Sequence, residues 1–362
     1  MTERRIPPRA LLLAPGGFAL LAGLDAGLVL LGLPAPIQAA RLAEVHGVLL
    51  VLGFVGTVIA LERAVAARRW WAYLAPALLG AAAVLLGSPA PRNLGSALML
   101  AGSATLVAVY VPLWRRGADV AVLIQAGGAV LAVGGALLLL GGVPVPDLVP
   151  WLSGFLILTI AGERLELARV AMLGTSAETL LTAIAAAMVA STVAAVLWPL
   201  PGYPLLGATL LATVAWLGRF DVAFRTVRAT GLTRYIAVCL LAGYAWLLVP
   251  ASMWLLVGQI RGGAAYDAVV HAVMLGFVLS MIMAHAPVIL PAVLRRPLPY
   301  TAAMYGPVAL LHVSLLLRLG IGDARGLQWA VQWGGFLNIV AVLGFIGVAG
   351  YSSIRTAGRV PA

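Results

Sequence analysis

Lysine is absent from this chain, and charged residues of either sign are scarce. All 23 basic residues are arginine, 12 residues are acidic, and charged residues make up only 10% of the 362 positions. Soluble domains contain about 25% charged residues, so this composition excludes an ordinary soluble globular protein. With 63% hydrophobic residues and a mean hydropathy of +1.06, the sequence predicts a polytopic membrane protein.

Cysteine is nearly absent as well, because Cys239 is the only one. A single cysteine excludes a disulfide within the chain and every metal motif built on cysteine pairs. We also find no phosphate-binding loop, nucleophile elbow or haem-attachment cysteine pair, so the sequence gives no support for nucleotide binding. The net charge of +11 comes from arginines in short loops, where topology and lipid head groups account for it without a nucleic-acid partner.

What the chain does contain is a series of apolar runs, each of about 20 residues, the length that crosses a bilayer as an α-helix. They predict an all-α polytopic fold in a single transmembrane domain, residues 1–362, without an inserted soluble domain. The twelve predicted spans cover residues 9–33, 44–66, 70–87, 93–114, 118–142, 147–172, 176–198, 202–227, 232–258, 265–293, 298–319 and 325–350.

The arginines are divided unequally between the two sets of loops. The opposite side from the termini has only Arg41, Arg92, Arg261, Arg318 and Arg325. Arginine is enriched on the cytoplasmic side of membrane proteins, so both termini are predicted to be cytoplasmic, in a bacterial inner membrane. The richer side contains Arg4, Arg5, Arg9, Arg68, Arg69, Arg115, Arg116, Arg225, Arg228, Arg234, Arg295, Arg296, Arg355 and Arg359.

An internal repeat relates the second, sixth and tenth spans. Each has a Gly-Phe pair, an Ile five residues after the Phe, and a polar residue nine positions after the Gly. These marks predict three quasi-repeats of four helices, at about residues 1–117, 118–230 and 231–362. Repeats about an axis normal to the membrane place polar sites between them. The pairs are Gly53-Phe54, Gly154-Phe155 and Gly276-Phe277, and the polar residues are Glu62, Glu163 and His285.

Two of only four histidines, His46 and His271, lie at matching depth in the outer third of the second and tenth spans. A histidine within a membrane span is costly and marks a candidate functional site. Two neutral imidazoles on neighbouring helices can hold a haem iron or a copper ion. Counted from the shared Gly-Phe register, however, the two rings point about 160° apart on ideal helices. Hydrogen bonding to neighbouring helices is the simpler alternative.

Glu62, Glu163 and His285 form a second constellation, because the repeat places them at one level nearer the cytoplasm. Two carboxylates and an imidazole suit zinc, iron or manganese, or a proton path. The competing interpretation is a set of ion pairs, since Arg63 and Arg164 directly follow the two glutamates.

The remaining intramembrane polar residues carry weaker signals. Asp25 is isolated in the first span and is a candidate for a proton path or a water-filled crevice. Asp221 is predicted to pair with Arg219 or Arg225. His312 has no partner in the repeat register and is predicted to be a hydrogen-bonded core histidine.

Two stretches resemble a known family, VHGVLLVLGFVGTVIALERA from Val45 and VHAVMLGFVLSMIMAHAPVILPAVLRR from Val270. They are similar to NnrS, a family of haem- and copper-containing membrane proteins of the nitric-oxide response. The twelve-span pattern also looks like the catalytic subunit of haem-copper oxidases. The resemblance implies that His46 and His271 are axial ligands of a haem near the outer side, which leaves His285 for another metal or haem. The sixth span lacks the oxidases' histidine, so oxygen reduction at a haem-copper centre is not expected.

We therefore expect an integral-membrane protein that binds haem b, with copper, iron or zinc as further candidates, in redox or nitric-oxide chemistry. If it is an enzyme, it would be a membrane oxidoreductase acting on nitric oxide, another small gas or a quinol. The alternatives are a proton- or ion-coupled transporter without a cofactor, and an assembly subunit whose histidines only pack.

Overall fold

A computed structural model describes residues 8–169, 174–294 and 296–357. Within these ranges the chain is helical and has no strand, and twelve helices are long and apolar enough to cross a membrane. This confirms the predicted all-α polytopic fold, and the chain is a multi-pass membrane protein. The helices are α1 (Arg9–Leu30), α2 (Ala40–Ala67), α3 (Trp70–Gly87), α4 (Arg92–Arg115), α5 (Val120–Leu140), α6 (Val145–Ala168), α7 (Thr175–Leu197), α8 (Pro199–Phe220), α9 (Gly231–Leu256), α10 (Gly263–Val293), α11 (Ala302–Asp323) and α12 (Gln328–Arg355).

Helix α8 ends earlier than the sequence predicts, at Phe220 rather than residue 227. Asp221 has an extended backbone, with φ −70° and ψ 138°, and its Oδ1 accepts a hydrogen bond of 2.7 Å from the backbone N–H of Ala223. A separate short helix, Ala223–Thr226, follows. A side chain that bonds the backbone just beyond it favours a helix boundary over helix continuation.

The three repeat-related helices lie at the centre of the bundle. In their most apolar windows, 56% of α2, 78% of α6 and 56% of α10 is buried, against 28–44% in every other span. Helix α2 contacts α6, α6 contacts α10, and α10 contacts α2. The apolar middle parts of these three helices are therefore surrounded mainly by protein.

The outer helices follow the same threefold order. Within the groups of four, α1 contacts α3, α5 contacts α7, and α9 contacts α11. Between the groups, α4 contacts α5, α8 contacts α9, and α12 contacts α1. The same neighbour relationships therefore recur in each predicted unit of four helices.

Eight-residue π-helical segments interrupt α2 at Leu49–Gly56 and α10 at Ala272–Leu279, and a third, Leu316–Asp323, forms the end of α11. Each has a glycine as its fifth residue: Gly53, Gly276 and Gly320. The segments of α2 and α10 thus share the Gly-Phe register, whereas α6 is α-helical at its Gly-Phe pair. Short π segments are rare and occur frequently at functional sites.

Candidate functional site

His46 lies near the start of α2, at the end of the bundle opposite the termini. Its Nδ1 is 2.7 Å from the carbonyl oxygen of Gly23 in α1. A carbonyl only accepts hydrogen bonds, so Nδ1 must carry the proton in this contact. The ring also packs beside Gly27 of α1, where a Cβ would lie at contact distance, 3.4 Å from the ring Cε1. The ring orientation is thereby fixed from the Nδ1 side.

His271 is held in the same manner, by groups on its own helix. Its Nδ1 is 3.0 Å from the carbonyl oxygen of Asp267 and 3.1 Å from the Asp267 Oδ1 atom. The Asp267 carboxylate is itself paired with Arg318 of α11, through contacts of 2.7 Å from Nε and 2.6 Å from Nη2. The prediction that Arg318 lies in a loop is wrong, because Arg318 is within the π-helical segment of α11.

The structure brings His46 and His271 to the same end of the bundle. His46 lies in the α-helical stretch that precedes the π-helical segment of α2, and His271 immediately precedes the π-helical segment of α10. No residue of the described ranges hydrogen-bonds the Nε2 atom of either ring. The anchors differ, however, because His46 is fixed against α1, whereas His271 is fixed beside α11. The π-helical segments of α2 and α10 occupy the same register, so they affect both helices alike. The difference in direction between the two rings that the sequence indicates therefore remains.

Glu62, Glu163 and His285 line one cavity, as their shared register predicts. The cavity has a volume of about 550 Å³ and lies between α1, α2, α6, α10 and α12, towards the termini. The Nδ1 atom of His285 is 2.7 Å from the carbonyl oxygen of Met281, and its Nε2 atom is buried without a hydrogen-bond partner. The rest of the wall is mainly apolar.

Arg63 bridges the two glutamates of this cavity. Its Nη2 lies 2.5 Å from the Glu62 Oε1 and 3.4 Å from the Glu163 Oε1, while Nη1 donates to the Gln125 Oε1 at 2.9 Å. The predicted ion pair between Glu62 and Arg63 is therefore present, whereas Glu163 is paired with Arg63 rather than with its neighbour Arg164. Across the parts of the chain that the structure describes, no group of three or more His, Cys, Asp or Glu side chains is arranged to hold a metal. The metal role of Glu62, Glu163 and His285 stays a prediction.

Arg164 belongs to a separate buried pair. Its Nε and Nη2 atoms contact the Asp221 Oδ2 and Oδ1 at 2.6 and 3.0 Å, and the Tyr244 hydroxyl donates to the Asp221 Oδ2 at 2.9 Å. The prediction that Asp221 pairs with Arg219 or Arg225 is wrong. Arg219 instead stacks on Phe220, with 5.3 Å from its guanidinium carbon to the ring centre. Arg219 and Arg225 are exposed, whereas the Asp221 carboxylate is buried, where Arg164 of α6 reaches it.

His312 and Asp25 both hydrogen-bond parts of the chain outside their own helices. The Trp246 Nε1 atom donates to the Nδ1 of His312 at 3.0 Å, and the Ser280 hydroxyl lies 3.3 Å from its Nε2. His312 is thus a hydrogen-bonded core histidine, as predicted. The Asp25 Oδ1 accepts a 3.0 Å hydrogen bond from the backbone N–H of Ile37 in the loop after α1, while its Oδ2 is buried and unpaired.

The residues that orient His271, Asp267 and Arg318, were not among the predicted site residues. The available signal was that they are opposite charges placed near the same end of spans ten and eleven. Gln125, a fully buried polar residue of α5 that binds Arg63, was not predicted either. A polar residue in an apolar span was the signal there.

Comparisons with known proteins assign the chain to a family but do not indicate a function for the site. No curated protein and no solved structure matches the chain. One family model, described as a domain of unknown function (DUF8744), matches residues 9–354 and so covers all twelve helices. The chain belongs to that family of membrane proteins.

Proposed function

We propose that the protein is a haem-binding protein of a bacterial plasma membrane, with both termini cytoplasmic, that serves redox or nitric-oxide chemistry. His46 and His271 would hold haem b between α2 and α10. The observation that carries this proposal is that both Nδ1 atoms are anchored by protein oxygens. Histidines that bind a metal through one nitrogen commonly donate the other N–H to a carbonyl or carboxylate, which fixes the tautomer and the ring.

The side chains of His46 and His271 are chemically suited to bind a haem. With the proton on Nδ1, the Nε2 atom of each neutral imidazole has a free lone pair. The Arg318–Asp267 pair holds the carboxylate that touches His271, and so positions that ring. A haem bound there supplies electron transfer and, where one position stays open, binding of a small gas. The same imidazoles also suit copper, iron or zinc. The sequence resemblance to NnrS supports the same proposal.

An absorption spectrum of the purified protein, oxidised and dithionite-reduced, tests the proposal. After haem-replete expression we expect a Soret band and sharp reduced α and β bands, lost in His46→Ala and in His271→Ala. His312→Gln is the matched control, because both nitrogens of His312 already have protein partners. A folded, colourless wild-type protein would overturn the haem proposal.

The buried charges of the cavity favour a second candidate, a proton- or ion-coupled transporter without a cofactor. Glu62, Arg63 and Glu163 form a charged group on the central helices, beside an open volume. Buried carboxylates and histidines in membrane proteins mark ion and proton paths. Proteoliposomes with a pH-sensitive dye separate the candidates. Proton flux in colourless wild-type protein, lost in Glu163→Gln, would favour the transporter.

A further inference from the structure

The cavity lined by His285 has the composition of a binding site for an amphipathic molecule. Most of its wall is apolar, with Leu20, Phe54, Ile282 and Phe345 among the lining residues. Its volume of about 550 Å³ falls within the range of small-molecule pockets, which combine an apolar wall with a few polar groups. The cavity is separate from His46 and His271, so the inference does not depend on haem binding there.

The mouth of the cavity lies on the outside of the bundle, towards the termini. Among its lining residues, Ile346 is 47% exposed and Ile354 is 74% exposed, both on α12. Arg296, which follows α10, also lines it. An entrance with exposed isoleucines faces the acyl chains, and an arginine beside it faces the head groups. A molecule dissolved in the bilayer can therefore enter without crossing water.

Three of the polar groups that line the cavity are hydrogen-bond acceptors: the His285 ring and the carboxylates of Glu62 and Glu163. Because the Met281 carbonyl takes the proton of the His285 Nδ1, the neutral ring has an acceptor at Nε2. That Nε2 is buried and has no partner. Glu62 and Glu163 add carboxylate oxygens, and the Arg63 guanidinium between them is already bonded to both and to Gln125.

We propose that this cavity binds a hydroxyl-headed amphiphile, with one long apolar tail, whose O–H donates to the Nε2 of His285. A buried acceptor without a partner is unfavourable, and a ligand that donates to it removes this penalty. The tail lies along the apolar wall between α1, α10 and α12. A fatty acid whose head group is inserted as far as His285 fits less well, because its carboxylate would face Glu62 and Glu163 rather than Arg296 at the mouth.

Binding of para-decylphenol, and of its methyl ether para-decylanisole, to the full-length protein in lipid nanodiscs tests this by calorimetry. The ether keeps the ring and the tail but cannot donate. We expect it to bind about tenfold more weakly, the size of one buried hydrogen bond. In His285→Phe, which keeps an aromatic ring and removes the acceptor, the phenol should weaken by the same factor and the ether should not change. Dodecanol, tested in parallel, shows whether the site needs an aromatic head or any hydroxyl.

A second variant keeps the proposal testable if His285→Phe does not fold. Gly17 lines the cavity, and a Cβ built on it meets nothing within 4 Å. Gly17→Phe should therefore fill the volume without disturbing the helices, and should weaken both ligands. His312→Gln is the control, and should bind both ligands as the wild type does. Equal affinity for phenol and ether in the wild type, or unchanged phenol binding in Gly17→Phe, would overturn the proposal. A Soret band lost specifically in His285→Gln would also overturn it, by assigning His285 to haem.

Discussion

Arg164 and Asp221 form a two-point ion pair at the end of the central helices that lies towards the termini, with N–O distances of 2.6 and 3.0 Å. The side chains are only 3% and 0% exposed. The Tyr244 hydroxyl and the backbone N–H of Ala223 also bond to the carboxylate. The pair thus connects α6, the end of α8 and α9, across the boundary between the second and third groups of four helices.

Removing one member of this pair should be strongly destabilising. Arg164→Met or Asp221→Leu leaves an uncompensated buried charge, which costs about 3–5 kcal/mol, whereas the double substitution should recover most of that loss. The free energy of unfolding can be measured by detergent denaturation. Tyr244→Phe is the smaller change and should cost about 1–2 kcal/mol. Single variants as stable as the wild type would contradict a structural role for the pair.

Arg63 should be energetically coupled to Glu163 even though their contact is long. Arg63→Met leaves two carboxylates beside one cavity without a cation between them. Adding Glu163→Gln removes one of those charges, so a double-mutant cycle should give a coupling of about 1–3 kcal/mol. Unfolding of the four proteins in one detergent series measures it. Additive effects would show that the guanidinium acts on Glu62 alone.

Gly276 should not tolerate a side chain. A Cβ there would lie 2.3 Å from the Cγ of Trp246, so Gly276→Ala forces α9 and α10 apart and should cost about 1–3 kcal/mol. Gly320 provides a matched control, since it is also the fifth residue of a π-helical segment but its Cβ position is open. We expect Gly320→Ala to change the unfolding free energy by less than about 0.5 kcal/mol. Equal effects of both substitutions would contradict the steric explanation.

Metal content distinguishes the two interpretations of Glu163 and His285. If a metal binds in the cavity, Glu163→Gln and His285→Ala should each lower the metal-to-protein ratio of the purified protein, measured by plasma mass spectrometry. If the glutamates serve only as ion-pair partners of Arg63, both variants keep the wild-type metal content. His46→Ala, measured in the same series, reports separately on metal at the other end of the bundle.

The orientation in the membrane can be tested by labelling with a thiol reagent that does not cross membranes. Cys239 is buried, and replacing it by alanine gives a background without thiols. Gly117 and Gly262 are exposed in loops at opposite ends of the bundle. In spheroplasts, Gly262→Cys should react and Gly117→Cys should react only after lysis, because arginine-rich loops stay in the cytoplasm. The reverse pattern would invert the proposed topology.

The sequence by itself determined the number and type of spans. The length and apolarity of a run are local properties, and they decide whether it can cross the hydrocarbon core of a bilayer as a helix. It also placed Glu62, Glu163 and His285 at one level, since a shared register on parallel helices fixes depth. The ends of the spans were predicted less well. Helix α8 ends before the predicted residue because the Asp221 side chain bonds to the backbone and to an arginine, and hydropathy does not predict such contacts.

Only the tertiary structure decided which charges meet. Asp221 pairs with Arg164 and not with its sequence neighbours Arg219 or Arg225. Arg318 of α11 pairs with Asp267 and positions it beside His271. These pairings depend on the rotation and closeness of helices distant in sequence. The cavity beside His285 likewise depends on packing, because it is a volume that the five surrounding helices leave unfilled. The sequence of each span determines the depth of its residues in the membrane, whereas packing between helices sets the rotation of each helix about its axis.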